Sequence, residues 1–183
     1  MRKMKKIMSL VMVGIMAFSL SACSGKEDKA DAVKDVPVSE IQTAVKEAYG
    51  DAYFLDMDYD AEALESIFGV KEDWCEEYIA QGAAISVNVD TFVAIKAKEA
   101  NVQEVVDALN SYRDYLVNDT MQYPLNKVKV QASRVEQIGN YVFFILLGDI
   151  PMEVEEQGDD AILATAKEQA QIAVDAINNV LTK

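Results

Sequence analysis

Six consecutive apolar residues, Val142-Phe143-Phe144-Ile145-Leu146-Leu147, follow a Gly139-Asn140 pair. A strand points successive side chains to opposite faces, so a strand with one wet face alternates apolar with polar. This run does not alternate. It reads as a strand placed centrally in a sheet, with apolar cover on both sides. Gly139-Asn140 suits a two-residue hairpin turn, which pairs the run Tyr141 to Leu147 with an extended segment from Val128 to Gln137.

The elements that could supply the cover are helices. Ser39-Glu40-Ile41-Gln42 fits a capping box, and Ile41, Ala44, Val45, Ala48 and Tyr49 then recur at helical spacing until Gly50. A second, shorter helix is expected from Asp60, with Leu64, Ile67 and Phe68 inward and Gly69 at its end. Asn101 opens the longest stripe, in which Val102, Val105, Val106, Leu109, Tyr112 and Leu116 share one helix face. Pro124 rules out continuation of that helix past Tyr123. A final helix, rich in alanine, is expected over residues 160–181. Between these, residues 71–80 read as a helical turn carrying Trp74 and Tyr78. Ile85, Val87 and Val89 alternate with Ser86 and Asn88 as a strand, turn at Asp90-Thr91, and pair with Phe92 to Lys98. The sum is one α+β domain in a ββα–ββα order: an antiparallel sheet of about four strands from two hairpins, packed with a long central helix and a C-terminal helix.

Residues 38–183 form this domain, long enough for one core; a chain of about 150 residues buries close to 70% of its unfolded surface. The chain has no histidine, which excludes Ser-His-Asp and Cys-His nucleophilic catalysis and most zinc and copper sites. Of its two cysteines only Cys75 lies in the domain, so the fold stands without an intrachain disulfide. Cys75 sits beside Trp74 and near Tyr78, and reads as a small core filler rather than a nucleophile. No cofactor is implied. A net charge of −14 disfavours nucleic acid, whose binding rests on Lys and Arg at phosphates.

The N-terminus determines the compartment. Arg2, Lys3, Lys5 and Lys6 precede an apolar run from Ile7 to Leu20. As a helix that run spans about 21 Å, short of a bilayer core of about 30 Å. A basic start, a short apolar middle and the small residues Ser21 and Ala22 mark a secretory signal. Leu20-Ser21-Ala22-Cys23 is similar to the lipobox of bacterial lipoproteins. That resemblance implies a diacylglyceryl group on Cys23 and cleavage after Ala22. Residues 1–22 are then the signal peptide, and the polar residues 23–37 a flexible tether. Two acyl chains hold a protein at a membrane where a single one binds only marginally.

Three stretches, "VNVDTFVAIKAKEANVQEVVDAL", "YLVNDTMQYPLNKV" and "GNYVFFILLGD", resemble the bacterial lipoprotein family known as domain of unknown function 4358. An Asp-led hairpin, a Tyr-Pro after the long helix and a Gly-Asn-Tyr turn into an apolar strand carry the resemblance. It implies an extracytoplasmic lipoprotein and brings no catalytic residues with it.

Three places could carry chemistry. Asp56, Asp58 and Asp60 alternate like the start of a calcium loop, but an EF-hand needs glycine at position six and glutamate at twelve. Ala61 and Ile67 stand there, so Asp60 is better spent as a helix N-cap and no metal site is expected. Tyr112, Arg113, Tyr115 and Tyr123 gather near a helix end, and Tyr and Arg are enriched in binding hot spots. The competing reading puts Tyr112 in the core and pairs Arg113 with a carboxylate. Arg134, the other arginine of the domain, reads as a salt-bridge partner.

The functional expectation is a non-enzymatic binding or adaptor domain, lipid-anchored to the outer face of the cytoplasmic membrane. Its partner is an envelope protein or a small ligand. The alternative is a cell-envelope hydrolase using paired carboxylates or a carboxylate-bound metal. A one-domain solute receptor is a third, weaker option.

Overall fold

The computed structural model describes residues 33–85, 87–118 and 121–182. In chain order these form α1 (Val38–Tyr49), β1 (Met57–Asp58), α2 (Ala61–Phe68), β2 (Cys75–Gly82), β3 (Thr91–Ala97), α3 (Val102–Asn118), α4 (Pro124–Lys129), β4 (Arg134–Ile138), β5 (Tyr141–Leu146), α5 (Met152–Glu155) and α6 (Asp159–Thr182). The α+β expectation holds, with a single five-stranded sheet in the order β1-β2-β3-β5-β4, antiparallel throughout.

The apolar run behaves as its sequence demands. All six residues of β5 are buried, with β3 on one side and β4 on the other. Tyr141, Phe143 and Ile145 pack with Phe92 and Ala94 against α1 and α6, through Ile41, Val45, Ala173 and Ile177. Val142, Phe144 and Leu146 pack with Val93 and Ile95 against α2 and α3, through Leu64, Phe68, Val105 and Leu109. The result is a three-layer sandwich, helices on both faces of the sheet. Removing one such ring, as in Phe143→Ala, costs about 3–5 kcal/mol.

Several boundaries differ from expectation, each for a physical reason. The partner of β3 is not residues 85–89 but Cys75–Gly82, which contains most of the expected helical turn; only Glu72–Trp74 is helical there, as a 3-10 turn. A β-bulge between Cys75 and Glu77 breaks the two-residue period that would have revealed the strand. Ile85 and Val87 do alternate, but in a loop, and are 62% and 52% exposed. Residues 128–132 are not extended: Pro124 opens α4 at its first position, and a 3-10 turn (Val130–Ala132) carries the chain to β4. The Ser39 capping box is also absent. α1 starts at Val38 behind Pro37 without a side-chain cap, and Gln42 Nε2 instead donates to Gln81 Oε1 at 2.8 Å. The fifth strand, β1, is the short addition over Gln81 and Gly82.

The α2 expectation holds at its ends and at two of its three inward positions: Asp60 Oδ1 accepts from the Ala63 amide at 2.9 Å, Gly69 closes the helix in the left-handed conformation, and Leu64 and Phe68 are buried, but Ile67 is turned outward and 43% exposed. Helix α3 ends at Asn118, short of Pro124, and its stripe packs inward as the spacing predicts. Among the described residues, no helix is long and apolar enough to cross a membrane.

Candidate functional site

Antiparallel pairing of β3 with β5 gives the sheet two ends. Thr91 lies opposite Leu146 at one, and Lys96 opposite Tyr141 at the other. Five residues of strand separate them by roughly 17 Å. Each end carries an Asp–Lys pair and a cleft.

At the Lys96 end the described chain begins. Lys34 N–H donates to the Leu181 carbonyl at 2.8 Å. Val36 N–H donates to the Tyr141 hydroxyl at 2.9 Å, and that hydroxyl donates to the Val36 carbonyl at 2.7 Å. Lys96 Nζ meets Asp35 at 2.6 Å and Glu76 at 3.3 Å. Residues 34–37, which the sequence assigns to the tether, thus form a strap across this end. A cleft of about 600 Å³ runs beside it, walled by Val33–Asp35 and by Glu76, Glu99 and Asn140. Hydrogen bonding to Lys96 holds the Asp35 carboxyl below the usual carboxylate range.

The opposite end is built differently. Asp90, just before β3, and Lys129, the last residue of α4, form an ion pair with side chains only 2% and 9% exposed. The Gly148 amide, just past β5, also donates to the Asp90 carboxylate. Gly148 is required there. Its φ is +110°, and a Cβ would stand 2.5 Å from Gln169 of α6. Burial pushes the Asp90 pKa up despite Lys129 and Gly148.

Two connected cavities open above this pair, sharing Phe54, Asn88 and Asp149. The smaller, about 150 Å³, reaches down to Asp90, Lys129 and Asn126. The larger, about 530 Å³, lies between the loop after α1 (Tyr53, Leu55, Asp56) and the β2–β3 loop (Ala83, Ile85). Both loops are tied down. Asn126 Nδ2 donates to the Val87 carbonyl at 2.9 Å, and the Ala84 amide to Asp56 Oδ1 at 2.7 Å. Asp90 N–H donates to Asn88 Oδ1 at 2.8 Å. Phe54, Ile85 and Val87 nevertheless stand largely exposed around the mouth. A fixed rim of exposed apolar groups over a polar floor is the make-up of a binding surface.

The residues expected from sequence are dispersed. Tyr112 is in the core, its ring edge-on to Phe68 and Phe144, and burial pushes its hydroxyl up to about 12. Among the described residues Arg113 pairs with no carboxylate. Its Nε donates to the Ser133 carbonyl at 2.7 Å, holding α3 against the turn before β4. Tyr115 and Tyr123 are exposed, and Tyr123 stands two residues before Leu125, which lines the smaller cavity. Arg134 pairs with Glu136 at 2.5 Å and donates to Gln171 at 2.6 Å. Asp56, Asp58 and Asp60 accept from Ala84, Gln81 and Ala63 respectively, three separate tasks. Among the described residues no cluster of three acidic or thiol side chains could hold a metal ion. Cys75 is buried, its thiol donating to the Lys71 carbonyl at 3.5 Å, and desolvation pushes it up to about 11. Cys23 lies outside the described residues.

Residues 48–147, from the last two residues of α1 to the residue after β5, match the family described as Domain of unknown function (DUF4358). The chain belongs to the DUF4358 family. No curated protein and no solved structure matches it. The matched span of the DUF4358 domain includes Phe54, Ile85, Val87, Asp90 and Lys129, and ends one residue before Gly148. The strap and α6 lie outside it. Sequence reasoning missed the cleft because it placed Ile85 and Val87 inside a sheet. The available signal was Asp90-Thr91 with Gly148-Asp149, polar pairs at the end of two apolar strands.

Proposed function

We propose that this protein is a lipid-anchored extracytoplasmic binding module, non-enzymatic, that engages an envelope partner through the cleft above Asp90 and Lys129. The observation that carries the reading is the separation of the two ends. The strap crosses one end of the sheet, and the apolar-rimmed cleft opens at the other. The anchor itself rests on the Leu20–Cys23 pattern. Metabolic fatty-acid labelling should tag the wild type and spare Cys23→Ala; equal labelling of both removes the anchor.

Co-purification from solubilised membranes tests the cleft. A partner recovered with the wild type should be lost with Phe54→Asp/Ile85→Asp, two exposed positions whose change leaves the core intact. A partner profile identical for both proteins overturns the reading. The hydrolase alternative draws on Asp90, whose carboxyl is raised by burial and lies near Asp149. That carboxyl is engaged by Lys129 and the Gly148 amide, which suits a structural pair better than a general acid.

A further inference from the structure

The cleft has a charge as well as a shape, and the inference drawn from it rests on the binding reading above. Four carboxylates, those of Asp56, Asp90, Asp149 and Glu155, line the joined cavities against one ammonium, Lys129. Asp90 and Lys129 satisfy each other on the floor. Asp149 and Glu155 remain at the mouth, both exposed, and among the described residues neither has a Lys or Arg within ion-pair distance. Beside them stand the exposed side chains of Phe54, Ile85 and Val87. An aromatic ring next to free carboxylates attracts an ammonium or guanidinium group on its face. Anionic groups, whether phosphate or carboxylate, are repelled by the same acids and by the net charge of −14.

We propose that the cleft takes a cationic, apolar peptide segment of a partner protein, with a basic side chain beside Asp149 and Glu155 and its apolar neighbour on Phe54 and Ile85. The walls need no rearrangement, because Asn126 and Asp56 already hold both loops. Long-range attraction alone would draw any cation to so acidic a protein, so the test separates the cleft from the overall field.

Full-length protein in phosphatidylcholine nanodiscs is titrated by fluorescence anisotropy with three labelled tetrapeptide amides: Lys-Phe-Leu-Lys, Glu-Phe-Leu-Glu and Lys-Gly-Gly-Lys. Lys-Phe-Leu-Lys is expected to bind about tenfold or more tighter than the other two, since it alone supplies both charge and apolar contact. Asp149→Asn/Glu155→Gln should weaken it about tenfold, and Phe54→Ala by a similar factor. Glu47→Gln/Asp175→Asn, which removes the same charge from the groove between α1 and α6, should leave it unchanged. The proposal is overturned if Lys-Phe-Leu-Lys binds no better than Glu-Phe-Leu-Glu, or if both double variants weaken it equally. If the peptide fails while Phe54→Asp/Ile85→Asp still strips a partner from the membrane preparation, only the chemistry assigned here is wrong. If that variant keeps its partner, the binding reading itself is wrong.

Discussion

The two ends of the sheet use the same pair of residue types and reach opposite results. Asp35 and Lys96 join the strap to β3, with the Asp35 side chain 81% exposed. Asp90 and Lys129 join the start of β3 to α4, with both side chains almost wholly buried. At the first, hydrogen bonding to lysine dominates and the Asp35 carboxyl is lowered. At the second, desolvation dominates and the Asp90 carboxyl is raised, although it too has a lysine and an amide donor. Burial, not pairing, sets the sign. The exposed pair is a clasp that salt can loosen. The buried pair is a fixture, able to floor a cavity whose rim is apolar.

Breaking the buried pair should have the largest effect. Lys129→Met leaves the buried Asp90 carboxylate without its lysine, with only the Gly148 amide beside it, and should cost about 3–5 kcal/mol in denaturant unfolding, with Asp90→Asn/Lys129→Met recovering much of the loss. A loss near zero for the single variant would mean that Asp90 is already solvated. Gly148→Ala attacks the same end through the backbone. A positive φ and a Cβ within 2.5 Å of Gln169 predict a cost of about 1–3 kcal/mol, read from the thermal midpoint. At the strap, Tyr141→Phe removes the hydroxyl that both accepts from and donates to Val36, for about 1 kcal/mol. Trypsin should then cut after Lys34 faster than in the wild type, with no change at the cleft.

Acid should sharpen the contrast, because the two carboxyls are shifted in opposite directions. Asp35, lowered from 3.8, contributes stability that is present above 3.8 and lost as pH falls through its folded value. Asp90, raised from 3.8, contributes in the other sense: present below 3.8, lost as pH rises through its folded value. Carboxyl carbon shifts followed from neutral pH downward should therefore show Asp90 taking its proton first and Asp35 last. Titration of both on the same side of 3.8 would contradict the comparison.

Much of this architecture is legible in the chain, and the parts that are not share a cause. The uninterrupted run Val142 to Leu147 demanded two covered faces and received them. Asp60 and Gly69 bracket α2 through local hydrogen bonds, which sequence can reveal because both partners lie within a few residues. Strand β2 was illegible because its bulge hides the period, and α4 because six residues beginning at proline carry too little periodicity to outweigh the Val128-Val130 alternation. The cleft was illegible for a stronger reason. Its floor joins residues thirty-nine positions apart, and its rim side chains are apolar without being buried. The tyrosine cluster failed as a unit since Tyr112 and Tyr115 sit three residues apart, yet only Tyr115 is exposed.

The central claim is that partners meet the cleft end and not the strap end. Photo-crosslinking in intact cells addresses it directly, with benzoylphenylalanine at position 85 in one strain and at position 137, beside the strap cavity, in another. Adducts from position 85 with none from position 137 are the predicted result; adducts from position 137 alone, or equally from both, would contradict it.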